Sequence, residues 1–327
     1  MGRAEHISRR LKLRHLNVLL AVAEQGNMVK AAEKLAVSQP VVSKAIADLE
    51  QTLGVPLLER GPRGVEPTLY GRALLKRSVA IFDDLRTSVS ELEFLADPTA
   101  GELRLGCTEA MATGLIPAII NRMSRQYPRI VFDVVVADPA TLTERELRAR
   151  RIDLVVGLRV TPGLADDLEL TILFRDRLDV VAGLKNPLVR RRKIALSDLA
   201  DARWCLPPLS HPVRPLVIDA FRRDGLRPPQ SIVTVASAPF TASLIADGQF
   251  LGILGSMFLG LSPQRELLRV LPVTLPIPEW PTSVVTLKSR ALSPAAKLFI
   301  DFARGVAKTL DKTLAKPAVP APRGRRS

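Results

Sequence analysis

Gln39, Ser43 and Lys44 bring a carboxamide, a hydroxyl and an ammonium onto one short stretch of chain, with Pro40 among them. At helical spacing these four and Ala47 share one side. The opposite side is set by Val42, Ala45, Ile46, Leu49 and Leu53, at intervals of three, four, seven and eleven residues. No base stands beside the hydroxyl to make it a nucleophile, so the chemistry on offer is hydrogen bonding. A carboxamide pairs with the adenine edge, an ammonium reaches O6 and N7 of guanine, and a hydroxyl serves either. Each good contact is worth roughly 1 to 3 kcal/mol of discrimination between bases.

Such a face works only if a scaffold presents it. Leu13, Leu16, Leu19, Leu20 and Ala23 fall on one helical face, and Ala31, Ala32 and Leu35 on a second, with Asn27 placed as its cap. Ser38 reads as the cap of a third helix, because Pro40 lies in a first turn where a missing N–H costs little, and Gly54 ends that helix after Leu53. The segment from Asn27 to Leu53 is thereby expected to be a helix-turn-helix. Taken singly, Ser38 is an ordinary cap and Lys44 an ordinary solvated charge. Their combination with the turn Arg60-Gly61-Pro62-Arg63-Gly64, which can carry two arginines to phosphate or minor groove, points instead to a winged helix that reads DNA.

Further along, Leu75, Phe82, Val89 and Ala96 recur every seven residues with Ser78, Leu85 and Leu92 between them, the seam of a paired helix. The blander alternative is a stripe packed on its own domain. Asp97-Pro98-Thr99-Ala100-Gly101 stops that helix. Short apolar runs then alternate with amphipathic ones: 103–107, 130–136 and 153–157 as strands around helices near 114–126 and 141–149, then 178–184, 204–206, 232–236 and 250–254 around helices near 212–224 and 239–247. This alternation predicts two α/β lobes with mostly parallel sheets. A strand at 283–287 and a helix at 294–307 follow the Pro-rich crossing from Pro276 to Pro281, which returns the chain to the first lobe; the outward crossing lies near Phe174 to Leu178.

Composition narrows the function classes. The chain has 327 residues, 47% hydrophobic and 24% charged, enough for two or three domains. A formal charge of +14 suits a polyanionic partner, but Lys308, Lys312, Lys316, Arg323, Arg325 and Arg326 place part of it at the C-terminus. Two cysteines, Cys107 and Cys205, and three histidines, His6, His15 and His211, make no clustered metal-ligand set. No GxSxG, HExxH or phosphate-loop pattern occurs, so neither catalysis nor a cofactor is expected. With no apolar run of membrane length and no signal-peptide core near Arg9 and Arg10, the expected location is the cytoplasm. A solute-binding protein would explain two lobes but not residues 13–71.

The segment AAEKLAVSQPVVSKAIADLEQTLGVPLLER, residues 31–60, followed by RGVEPTLYG at 63–71, resembles the N-terminal domain of LysR-type transcriptional regulators. Asn27-Met28-Val29 stands where that family often has Ser-Phe-Thr. The resemblance implies that Gln39, Pro40, Ser43 and Lys44 reach bases, that Lys30, Arg60 and Arg63 hold phosphates or the minor groove, and that Asn27 and Ser38 flank them. It implies a winged helix-turn-helix at 11–68 (helix-turn-helix about 28–47) and a linker helix at 69–96 that dimerises through Leu75, Phe82, Leu85, Val89 and Leu92, with dimers pairing into tetramers. It implies an effector domain like periplasmic binding proteins at 101–310, with lobe I at about 101–175 and 282–310 and lobe II at about 176–280, and leaves 311–327 as a basic disordered tail. Mapped onto this chain, the effector cleft takes Thr108, Glu109, Ala110, Asp138, Pro139, Pro208, Ser210, His211, Ser237 and Ala238. The function implied is ligand-responsive regulation of transcription from an inverted-repeat operator, with double-stranded DNA, a small effector and RNA polymerase as candidate partners. Glu109 would disfavour a simple carboxylate effector unless a cation or hydroxyl partners it. A redox-sensing variant through Cys107 or Cys205 is the alternative within the class, although neither cysteine has basic neighbours and both read as small core residues.

Overall fold

A computed structural model describes residues 10–61, 64–158 and 166–314. The chain divides into two compact units between Val89 and Ser90.

In the first unit, α1 (Leu13–Gln25) ends at Gly26, whose φ of 62° is left-handed, and α2 (Met28–Lys34) begins at Asn27, whose Oδ1 accepts from the N–H groups of Val29 at 2.7 Å and Lys30 at 3.3 Å. α3 (Gln39–Leu53) carries Pro40 in its first turn and ends at Gly54, φ 73°. Ser38 occupies the capping position, but its hydroxyl accepts no backbone N–H; its carbonyl starts the helix by accepting from Val41 and Val42. The expected side-chain cap is therefore absent, and Ser38 stays exposed. Val42, Ile46 and Leu49 bury the inner stripe of α3 against Leu19, Val22, Ala31 and Leu57, while Ala45 and Leu53 line the edge of that core.

The wing is an antiparallel hairpin, β1 (Leu58–Gly61) with β2 (Gly64–Pro67). Two anchors fix it. Glu50 on α3 accepts from the N–H groups of Leu57 (2.7 Å) and Leu58 (3.1 Å), and Val65 N–H donates to the Gly26 carbonyl at 2.8 Å. A Cβ on Gly64 would stand 2.5 Å from that same carbonyl, so only glycine permits the approach. Thr68 then opens α4 (Leu69–Ala96), its hydroxyl donating to Pro56 O at 2.7 Å and accepting from Gly71 N–H.

The heptad positions on α4 separate into two groups. Leu75 is half-buried and packs on the core of the first unit, and Phe82 is half-buried. Leu85, Val89 and Leu92 are exposed, as are Ile81 and Leu95 close to the same face.

The second unit holds two five-stranded sheets. The first has the order β4 (Arg129–Val136), β3 (Ala100–Cys107), β5 (Leu154–Leu158), β12 (Trp280–Leu287), β6 (Leu168–Asp176). The second has β11 (Leu268–Val270), β7 (Leu178–Gly183), β10 (Leu251–Gly255), β8 (Trp204–Leu206), β9 (Ser231–Thr234). Both sheets are mixed, which corrects the mostly parallel expectation. β3 runs parallel to β4 and β5, and β8 to β9 and β10; β12 runs antiparallel to β5 and β6, and β7 antiparallel to β10 and β11. The antiparallel strands are those that enter or leave a lobe.

Both faces of each sheet are covered, which explains the continuous apolar runs. In lobe I, Leu103, Leu105 and Leu154 pack with α6 (Leu115–Ser124) and α10 (Pro294–Leu314), while Val155 and Val285 meet Leu142 and Leu147. In lobe II, Val180 and Trp204 pack with Val217 and Phe221 of α7 (Val213–Arg223), and Val181 and Cys205 with Ala242 and Ile245 of α8 (Ala238–Ile245). Residues 141–147, expected as α-helix, form a π-helical segment. α10 continues through Leu314, so residues 311–314 are helical rather than tail, and 315–327 lie outside the described residues.

Two buried polar clusters tie this unit together. Asp153 receives Arg290 at 2.6 Å and Arg104 at 3.3 Å. Asp176, at the outward crossing, accepts from Ser256 Oγ at 2.7 Å and Met257 N–H at 2.9 Å, at the start of α9 (Ser256–Leu261).

Candidate DNA-reading face and ligand cleft

On α3 the residues singled out for base contact lie together on the surface. Gln39, Pro40 and Lys44 are exposed and Ser43 is half-buried. Gln39 Nε2 donates to Ser43 Oγ at 2.8 Å, and Ser43 Oγ lies 3.3 Å from Met28 Sδ, so the helix pair holds the hydroxyl in place. Val41 on α3 is also exposed and adds an apolar surface beside these polar groups. Asn27 and Lys30 sit exposed at the start of α2; the Asn27 oxygen is committed to its cap, leaving its amide N–H groups outward. Arg60 pairs through its backbone with Val65, but its side chain, and the whole of Arg63, lie outside the described residues. Glu50, Gly64 and Thr68, which set the position of the wing, were not singled out by sequence. Their partners are backbone groups brought near only by folding.

In the second unit the C-terminal ends of the parallel strands carry the expected loops. After β3, Thr108 is half-buried and precedes the short α5 (Glu109–Ala112), on which Glu109 is exposed. Ala110 packs against the cores of both lobes, meeting the cluster that includes Ala238. Gly157, φ 90°, closes this corner: a Cβ there would lie 2.4 Å from Met111 Cγ and 2.9 Å from Thr108 Oγ1. After β4, Asp138 and Pro139 are exposed. The Asp138 carboxylate accepts from Thr141 Oγ1 (2.6 Å) and from the N–H groups of Thr141 and Ala140; chiefly the Thr141 hydroxyl holds its carboxyl below the usual range. Asp138 thus closes its own turn.

After β8, His211 N–H donates to Pro208 O at 2.9 Å and His211 Nδ1 accepts from Val213 N–H at 3.2 Å, with burial lowering the imidazole pKa; Ser210 is exposed. After β9, Ser237 caps α8 by accepting from Phe240 N–H at 3.2 Å. Val235 N–H donates to Leu206 O, so the loops after β8 and β9 run side by side. Sequence reasoning passed over Arg214, in the first turn of α7. Among the described residues its guanidinium reaches only Pro207 O, at 3.5 Å, and its Nε is buried without an acceptor.

Cys107 and Cys205 are fully buried in different lobes, and burial pushes the Cys107 thiol up to about 11 and the Cys205 thiol upward. The geometry gives a thiolate-based sensor no support. Among the described residues no group of three His, Cys, Asp or Glu could hold a metal ion, and no helix is long and apolar enough to cross a membrane.

A winged helix-turn-helix joined in one chain to a two-lobed α/β ligand domain defines a class of ligand-responsive DNA-binding proteins. Residues 13–72 match the model for bacterial regulatory helix-turn-helix proteins of the lysR family, and residues 96–308 match the LysR substrate binding domain. The chain belongs to the LysR family of transcriptional regulators. It is 30% identical to the HTH-type transcriptional regulator GbpR of Azospirillum brasilense, over 92% of this chain and 88% of that protein. Among solved structures it is similar to a full-length OxyR variant from Pseudomonas aeruginosa (TM-score 0.63, 21% identity, 90% of this chain and 95% of that one). It is also similar to full-length CbnR complexed with its target DNA (TM-score 0.60, 22% identity, 90% and 99%).

Proposed function

We propose that this regulator reads an inverted-repeat operator with the outer face of α3, where Gln39, Pro40, Ser43 and Lys44 meet base edges, while Asn27, Lys30, Ser38, Arg60 and Arg63 hold backbone or minor groove. The observation that carries this is the division of α3 itself: Val42, Ile46 and Leu49 are buried while Gln39, Pro40 and Lys44 are exposed. A helix so mounted, with a wing pinned by Glu50 and Gly26, can enter a major groove without disturbing its own core. CbnR, of similar fold, is seen with its target DNA.

A small effector is taken up between the lobes, at Thr108, Glu109 and Ala110 on one side and Pro208, Ser210, His211, Ser237 and Ala238 on the other. Asp138 and Pro139 flank it. Subunits pair through α4 into dimers or tetramers, and the assembly works in the cytoplasm, where it can meet RNA polymerase.

The reading is tested by salt-titrated binding of the wild-type chain and Lys44→Ala to matched and scrambled DNA. Lys44→Ala should lose about 1 to 3 kcal/mol of preference for the matched site. Equal weakening on both DNAs would show that Lys44 holds phosphate rather than bases.

A further inference from the structure

We propose that Arg214 is the anchor for the carboxylate of a monoanionic effector with an apolar body, bound at the ends of β8 and β9; this rests on the two-lobed sensing role proposed above. A cation in the first turn of a helix lies at the wrong end of the helix dipole, and α7 has no acid in that turn to offset it. The Arg214 Nε is sealed from solvent with no acceptor among the described residues, and the one hydrogen bond of the guanidinium among them, from Nη1 to Pro207 O, is long at 3.5 Å. Burial also lowers its pKa, and no neighbouring carboxylate opposes that shift. A guanidinium so placed is a standing cost to the unliganded fold, which a carboxylate presented to its terminal nitrogens would offset.

The surroundings narrow the ligand further. Leu209, on the loop after β8, is 72% exposed, and Phe240, at the start of α8 on the neighbouring loop, is 51% exposed. Two large apolar side chains uncovered on adjacent loops suit a hydrocarbon or aromatic body. Across from them, α5 packs against α8, and the first residue of α5 is an exposed acid, Glu109. That acid disfavours a second negative charge on the ligand.

Titration calorimetry of the full chain with benzoate, phenylacetate, the dianion phthalate and neutral benzamide tests this, using wild type, Arg214→Met and Arg214→Gln. Benzoate or phenylacetate should bind wild type and bind both variants roughly ten- to a hundredfold more weakly, with phthalate and benzamide weak throughout. The unliganded melting temperature of Arg214→Met should equal or exceed that of wild type, whereas a merely structural arginine would lower it. Failure of both monoanions to bind wild type, equal binding of acid and amide, or unchanged binding to both variants overturns the assignment. A neutral compound that binds regardless of Arg214 and alters operator affinity would remove the carboxylate while leaving two-lobed sensing intact. If benzoate or phenylacetate binds through Arg214 without altering operator affinity, the anion site stands and the sensing reading falls.

Discussion

The exposure of Lys44 and Gln39 was legible in the sequence because it depends on helical phase alone: once Val42, Ile46 and Leu49 take the core, the outer residues have no other place. Glu50 and Arg214 were not: the backbone groups that Glu50 holds, and the burial of the Arg214 Nε without an acceptor among the described residues, arise only from the fold. Cys107 gives a prediction at this scale. With its thiol pushed up to about 11 by burial, the thiolate fraction near neutrality is roughly a hundredfold below that of an ordinary cysteine. Iodoacetamide should label neither Cys107 nor Cys205 in the native chain and both after denaturation; native labelling at the denatured rate would revive the redox alternative. Asp176 gives another. Burial, the largest influence, raises its carboxyl pKa against the pull of Ser256 and Met257. The folded value exceeds the unfolded one, so this group's contribution to stability is fully present below the unfolded value and lost as pH rises through the folded value. Asp176→Asn keeps an oxygen for both donors. Relative to wild type it should gain in melting temperature as pH is raised from about 4 to 7, and a difference independent of pH would contradict this.

Among elements, helices were easier to read than pairings. The helices of the first unit follow from caps, periodicity and glycine stops. β6, by contrast, mixes polar and apolar residues at the sheet edge, so its pattern predicts no strand ahead of the crossing near 174–178. Strand direction was hidden as well, because β12 owes its antiparallel neighbours to the path of the returning chain rather than to its own residues. The helix α10 runs through Leu314, into the first residues of the stretch expected as tail from 311 on. At this scale α4 carries the assembly claim. Leu85, Val89 and Leu92 are exposed on it, whereas Leu75 packs on its own unit, so only the exposed half of the seam is offered to a partner. Leu85→Glu or Leu92→Glu should raise the dimer dissociation constant at least tenfold, since each removes two leucine side chains worth about 1.5 to 3 kcal/mol apiece from a two-fold contact. Sedimentation analysis reads this directly. An unchanged distribution would place the dimer contact elsewhere.

For the whole molecule, the proposal is that a two-fold pair of winged helices meets DNA while the lobes report an effector. Family membership fixes the class of protein, and the exposed faces of α3 and α4 supply the geometry of the proposal. A symmetric pair places its two recognition helices one helical turn apart, roughly 34 to 36 Å, on one side of the duplex. Footprinting of the full chain on DNA flanking its own gene tests this most directly. The account predicts two protected, inverted half-sites with centres about 10 base pairs, or a small multiple of that, apart. A single protected segment without dyad symmetry, or protection indifferent to sequence, would contradict it.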